Sequence, residues 1–228
     1  MNGSDATPIS MRRAPSRLLQ AAEAVLVTAS VLVLIWVLQP RVSFAPDVAV
    51  RLVIVSAMLA SNIARRDGLK RLGVRLDNFA AAARIAVLPT AIAAGIVIAA
   101  GAILAPPEPN IQRAAVNLVY YVGWAFAQQY ALQGFILLRL VDAGFGRLAP
   151  VTAASLFALV HVPNPGLTLL TFAGGWMWAT LFRREPNLPV LALSHALLAV
   201  LAEGMLPPEV TGGYRLGPRY LEWAAGRP

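Results

Sequence analysis

The chain has 228 residues, 58% of them hydrophobic and only 13% charged, where a soluble domain would carry about 25% charged residues. With a mean hydropathy of +0.65, this composition excludes an ordinary soluble globule and points to an integral membrane protein of several spans. The net charge of +8 would suit a nucleic-acid binder, but the basic residues fall between apolar runs rather than in one patch with interleaved aromatics, so no nucleic-acid partner is expected.

Residues 1–17, with Pro8, Pro15, Arg12, Arg13 and Arg17, read as a disordered basic arm. An integral membrane domain is expected over 18–206 and a tail over 207–228. The run 18–38 carries one charge, Glu23, and is too long for the core of a cleaved secretory signal, so it reads as a retained first span. The second span is 48–64, with Arg51 snorkelling at its outer end. A basic connector over 65–75 follows, then a third span over 85–104 that ends at Pro106, Pro107 and Pro109. The fourth span is 114–138. Beyond a turn at 142–150, residues 151–162 predict a helix too short to cross a bilayer alone, ended by Pro163 and Pro165. Runs at 167–182 and 188–206 complete the set. The tail is rich in Gly and Pro, and its Tyr214, Tyr220 and Trp223 are expected at the membrane interface. The fold class is therefore all-α, a polytopic transmembrane helix bundle of about 7 (6–8) spans. There is no cysteine, which removes disulfide and thiolate chemistry.

Lysine and arginine concentrate in the arm, in the connector and its approach to Arg84, at Arg139 and Arg147, and at Arg183 and Arg184. The alternate loops hold only Arg41, Arg51 and Arg113. This bias predicts a cytoplasmic N-terminus; the membrane expected is the plasma (inner) membrane. The tail, with three arginines, then falls outside, the one piece that fits this count poorly.

Polar groups within apolar runs need partners, because an unpaired one in hydrocarbon costs several kcal/mol. Gln128, Gln129 and Gln133 stand in the fourth span, and the only histidines, His161 and His195, lie within two other apolar runs. Gln128 precedes Arg139 by 11 residues, His161 follows Arg147 by 14, and His195 follows Arg184 by 11. At 1.5 Å per residue all three lie roughly 16–21 Å from the basic flank, at one depth on three helices. On the fourth span Asn117, Tyr121, Trp124 and Gln128 form one stripe, while Gln129 and Gln133 share the neighbouring face. The bland alternative is interhelical hydrogen bonding by these amides, each worth about 0.6–2 kcal/mol. Intramembrane ionisable groups, however, tend to mark sites. The carboxylates within or at the ends of spans are Glu23 and Glu203, the latter some 12 Å along the helix axis from His195.

Three short motifs occur in order. Gln128-Gln129-Tyr130-Ala131-Leu132-Gln133-Gly134-Phe135 resembles the Glu-Glu-x-x-x-Arg-Gly-Phe motif of the CPBP intramembrane proteases, which include CAAX prenyl endopeptidases, Abi proteins and lysostaphin-resistance-like proteins. Phe157 to His161 resembles their Phe-x-x-x-His, followed by a family-like Pro163-Asn164-Pro165. His195 resembles the start of His-x-x-x-Asn, with Ala199 in the Asn position. The resemblance covers about 114–204. It implies an endopeptidase that cleaves a membrane-associated substrate, a hydrophobic or lipidated peptide or a membrane protein, in the manner of CAAX processing. By resemblance Gln128, Gln129, Gln133, His161 and His195 are the candidate catalytic residues, and Phe157, Asn164 and Trp124 the candidate substrate contacts. A glutamine has no carboxylate to take a proton, so it cannot serve as general base, though it can hold a water or donate to an oxyanion. The base would then be His161, His195 or a carboxylate from elsewhere; in the hydrolytic reading His161 is the expected base and His195 an oxyanion donor. No cofactor is expected, since two histidines and neutral amides make a poor zinc set; a metal, if bound, would use His161 and His195. The rival reading is the same fold without hydrolysis, serving as a membrane peptide-binding, scaffold or immunity protein.

Overall fold

The structure, a computed structural model, describes residues 16–104 and 111–226, the side chains of 111–115 aside; nearly all of the basic arm, the proline turn at 106–109 and the Arg113 side chain lie outside the described residues. Among those described the fold is all-helical. Helix α1 (Arg17–Val33) starts at a Ser16 cap and runs on as a π-helical turn, Leu34–Leu38. Helices α2 (Phe44–Arg65) and α3 (Phe79–Leu104) follow. Helix α4 (Ile111–Gln129) continues through a π-helical segment, Tyr130–Leu137, into the short α5 (Leu138–Asp142). Then come α6 (Ala149–Leu159), α7 (Pro165–Arg184) and α8 (Leu188–Met205). The tail, rich in Gly and Pro, folds into α9 (Pro208–Thr211), a 3-10 turn (Gly212–Tyr214) and α10 (Gly217–Ala225).

Four stretches are long and apolar enough to cross a membrane: Arg17–Leu38, Phe44–Arg65, Phe79–Leu104 and Leu188–Met205. Their large apolar side chains, such as Leu26, Val53, Ile63 and Ile103, face outward, which is what a lipid solvent permits. Helix α8 is the central post, packed against both α3 and α4, while α6 packs along α7.

Loops gather at two ends. At one, the connector after α2 bonds the start of α8, with the Leu188 amide donating to the Gly73 carbonyl at 2.8 Å. Arg71 reaches Asp142 at the end of α5, and Arg183 donates to the Gly146 carbonyl. Asn187 fixes this connector end. It is wholly buried, accepts from the Val190 amide at 2.9 Å as the α8 cap, and donates to the Arg75 carbonyl at 3.0 Å and Asn78 Oδ1 at 2.8 Å. Asn187→Ala should therefore cost about 2 kcal/mol, a lost cap plus buried groups left unpaired, read as a lower midpoint in thermal unfolding in detergent. At the opposite, tail end, α10 lies against the π-helical turn after α1.

Arg139 departs from its expected place on the basic flank. It is 0% exposed and its guanidinium contacts Glu23 at 2.8 Å, Asp67 at 3.1 Å, Ser61 at 3.2 Å and Asn62. Arg65 also pairs with Glu23, and Arg71 with Asp67. Three helices are thus joined by a buried ionic cluster near the connector end, and Glu23 is committed to it.

Candidate functional site

A cavity of about 690 Å³ lies between α3, α4, α7 and α8, lined also by Phe157, His161, Tyr214 and Leu216. Gln128, His161 and His195 all line it, so residues from three separate apolar runs meet in one chamber. Its wall is otherwise largely apolar, and no described lining residue is Asp, Glu, Lys or Arg. Leu88, Ile92 and Ile96 of α3, with Trp124 of α4, line it while remaining about half or more exposed. The chamber therefore opens at the side of the bundle, on a face of apolar side chains.

Each imidazole is held by one nitrogen. His161 follows the end of α6, where the chain turns toward the Asn164 cap of α7. Its Nδ1 is 2.8 Å from the Phe157 carbonyl. A carbonyl only accepts, so Nδ1 carries the proton and Nε2 keeps a free lone pair. His195, on α8, has Nδ1 at 3.3 Å from Gln129 Nε2. The Gln129 oxygen is taken by Gln133 Nε2 at 3.1 Å, which leaves the Gln129 amide nitrogen to donate. His195 Nδ1 is then the acceptor and its proton sits on Nε2. The two rings are opposite tautomers: one offers a base, the other a donor.

Packing holds them there. The ring of His195 stacks on Trp178 at 4.3 Å between centroids and 29°, and Phe157 meets both rings edge-on at 5.1 and 6.4 Å. Trp178 Nε1 donates to Ser194 Oγ at 3.1 Å, which shares a 2.7 Å hydrogen bond with Thr90 of α3. A polar chain thus runs from α3 through α8 to the Trp178 ring on which His195 rests.

The other named residues divide clearly. Gln129 and Gln133 are buried behind His195, outside the chamber wall, and act on the ring's position; Gln133 Oε1 has no hydrogen-bond partner among the described residues. Trp124 lines the chamber and stacks under Arg51 at 5.6 Å. Asn164 does not line it: its amide caps α7 through the Leu167 amide at 3.0 Å and donates to the Thr211 and Arg215 carbonyls. Asn117 donates to Glu203 at 3.3 Å across α4 and α8. Neither Glu23 nor Glu203 lines the chamber. Ala199 does, without a polar group where the resembling motif has Asn.

Sequence reasoning missed Tyr214 and the group of Trp178, Ser194 and Thr90. Trp176 and Trp178, two residues apart on a helix, point about 200° from each other; Trp176 is 52% exposed and Trp178 4%. No group of three or more His, Cys, Asp or Glu able to hold a metal converges among the described residues. The donor set does not fit zinc, which takes three strong protein ligands.

A helical bundle with membrane-length helices around an enclosed pair of histidines defines a membrane protein with an internal polar site. Residues 109–201, about two-fifths of the chain, match the family model described as type II CAAX prenyl endopeptidase Rce1-like. The matched stretch contains all three motifs, so the resemblance they carry stands over that region. No curated protein and no solved structure matches the chain.

Proposed function

We propose that this chain is a CAAX-protease-type intramembrane endopeptidase with a variant, glutamine-bearing site. The observation that carries this reading is that two imidazoles line one chamber, each held through Nδ1, His161 against a carbonyl and His195 against an amide nitrogen. In the proposed step a water gives its proton to His161 Nε2 while its oxygen attacks the peptide carbonyl carbon. The oxyanion that forms accepts from His195 Nε2–H and from the Gln128 amide. His161 then returns the proton to the leaving amine as the carbon–nitrogen bond breaks. The side opening lined by Leu88, Ile92 and Ile96 suits a hydrophobic or lipidated peptide arriving through the bilayer.

The same reading takes about seven crossings, with α1, α2, α3, the rod from α4 to α5, the short α6, α7 and α8 carrying the chain alternately between the two ends. The connector end then faces the cytoplasm, because it gathers most of the lysine and arginine, and the membrane in this reading is the plasma membrane. Partners are the lipid bilayer and the peptide, with no nucleic acid and no metal.

The second reading, a binding protein without turnover, is favoured by the absence of a chamber-lining carboxylate among the described residues. One experiment separates the two. Purified protein in proteoliposomes is given a farnesylated reporter peptide, and release of its C-terminal fragment is followed. His161→Ala should lower the rate at least about 100-fold, as loss of a general base does, with membrane insertion and thermal midpoint retained. Should the native chain be inert and Gln128→Glu with Gln129→Glu create cleavage, the binding reading replaces the hydrolytic one.

A further inference from the structure

A second cleft, away from the chamber, opens at the connector end where α7 finishes and α6 starts. We propose that it binds the phosphate headgroup of an anionic glycerophospholipid, whose acyl chains lie along the outer face of α7. The inference stands on the membrane placement of the bundle and is independent of hydrolysis.

The cleft, about 370 Å³, is lined by Arg147, Pro150, Trp176, Thr180, Arg183 and Arg184. Four of these share one stripe of α7. Thr180 and Arg184 follow Trp176 in steps of four and Arg183 follows it by seven, so all four fall within about 80° of arc over about 12 Å of rise. Arg183 donates to the Gly146 carbonyl at 2.6 Å, which ties the loop ahead of α6 to this stripe and brings Arg147 to the cleft.

The three arginines gather here without an acid. All are exposed, and among the described residues none forms a salt bridge. The nearest carboxylates in the chain are engaged elsewhere, Asp142 with Arg71 and Glu185 with the Asn78 amide. Arg183 gives one donor to Gly146 and keeps the rest of its planar fork, a shape that meets phosphate oxygens two at a time. Helix α6 also begins at this rim without a side-chain cap, so its N-terminal partial charge adds to the same sign.

The stripe itself selects a lipid over a soluble anion. Leu169, seven residues before Trp176, is exposed on the same face. Read toward the connector end, the face runs from Leu169 through the exposed Trp176 and Thr180 to the arginines, which is the order of acyl chain, interface and phosphate in a bilayer leaflet. Tryptophan favours the headgroup level, and basic pockets between spans on the cytoplasmic side suit anionic headgroups.

The test places full-length protein in phosphatidylcholine nanodiscs and titrates in phosphatidylglycerol with brominated acyl chains, which quench a tryptophan they touch. Phosphatidylglycerol should quench more than brominated phosphatidylcholine at equal content, and Trp176→Phe should remove the excess. Arg147→Gln with Arg184→Gln should raise the content needed for half of the effect about 25-fold, about 5-fold for each arginine, at an unchanged thermal midpoint in plain phosphatidylcholine. Arg66→Gln with Lys70→Gln removes the same charge from exposed residues at the same end, outside the cleft, and should change it less than about 2-fold. An equal loss in that control pair would reduce the effect to general attraction to an anionic surface and overturn the site. An excess that survives Trp176→Phe would put the lipid elsewhere and also overturn it; this arm leaves the charges untouched, so it decides even if the arginine pair unfolds. Displacement of the lipid by inorganic phosphate would make the occupant a soluble anion, and the lipid assignment would fall.

Discussion

Arg139→Met is expected to destabilise the protein by about 3–5 kcal/mol, the cost of breaking a buried charge cluster by removing one member. The guanidinium is fully enclosed and bonds Glu23, Asp67, Ser61 and Asn62, with the Phe135 ring 4.6 Å from its carbon. Without it, Glu23 keeps Arg65 and Asp67 keeps Arg71, but each carboxylate loses its innermost partner and stays buried or nearly so. Arg139→Lys should recover little, because an ammonium on a flexible stem cannot serve donors fixed in a planar fork. Thermal unfolding in detergent reads the effect, and a retained midpoint for Arg139→Met would show the cluster to be dispensable. A wholesale apolar replacement of Glu23, Asp67 and Arg139 could be far milder, since desolvation of the charges offsets much of their attraction.

Gly166→Ala is expected to cost about 3 kcal/mol, at the upper end for overpacking, and to loosen the tail. A Cβ at Gly166 would fall within the Val210 carbonyl oxygen, which is backbone and cannot rotate away. Either α7 or α9 must shift, and Asn164, two residues earlier, then loses its hold on Thr211 and Arg215. Trypsin should cut at Arg215 markedly faster in this variant than in the unaltered protein. Gly204→Ala, where nothing lies within 4 Å of the added carbon, is the matched control. It should be neutral or gain up to about 1 kcal/mol from helix propensity.

The sequence made the apolar helices legible because lipid imposes length and hydropathy residue by residue. The structure gives crossing-length helices at the first, second, third and last of the expected runs. The meeting of Gln128, His161 and His195 in one chamber was readable in outline from matched depth and motif order. What surrounds them was not. Asn164 before a proline reads as a helix cap, and it is one, but its second task depends on carbonyls 47 and 51 positions away. Arg139 resembles the basic end of a span until Glu23, 116 positions earlier, is placed beside it. Local rules set elements; these pairings arise only when distant elements pack. The tail is a related case, because its composition alone does not show that Gly212 and Gly213 form part of one left-handed turn.

The π-helical segment over Tyr130–Leu137 has a consequence of phase. Each π-type loop closes over one more residue than an α-helical loop, so everything beyond it is turned by about 100° relative to an unbroken α-helix. One rod therefore runs on two settings. Ahead of the segment it shows Gln128 to the chamber, and after it shows Arg139 to Glu23 and Asp67. Shortening the segment by one residue would bring the rod back to a single setting, and either the polar chamber or the ionic lock would then face the wrong neighbours.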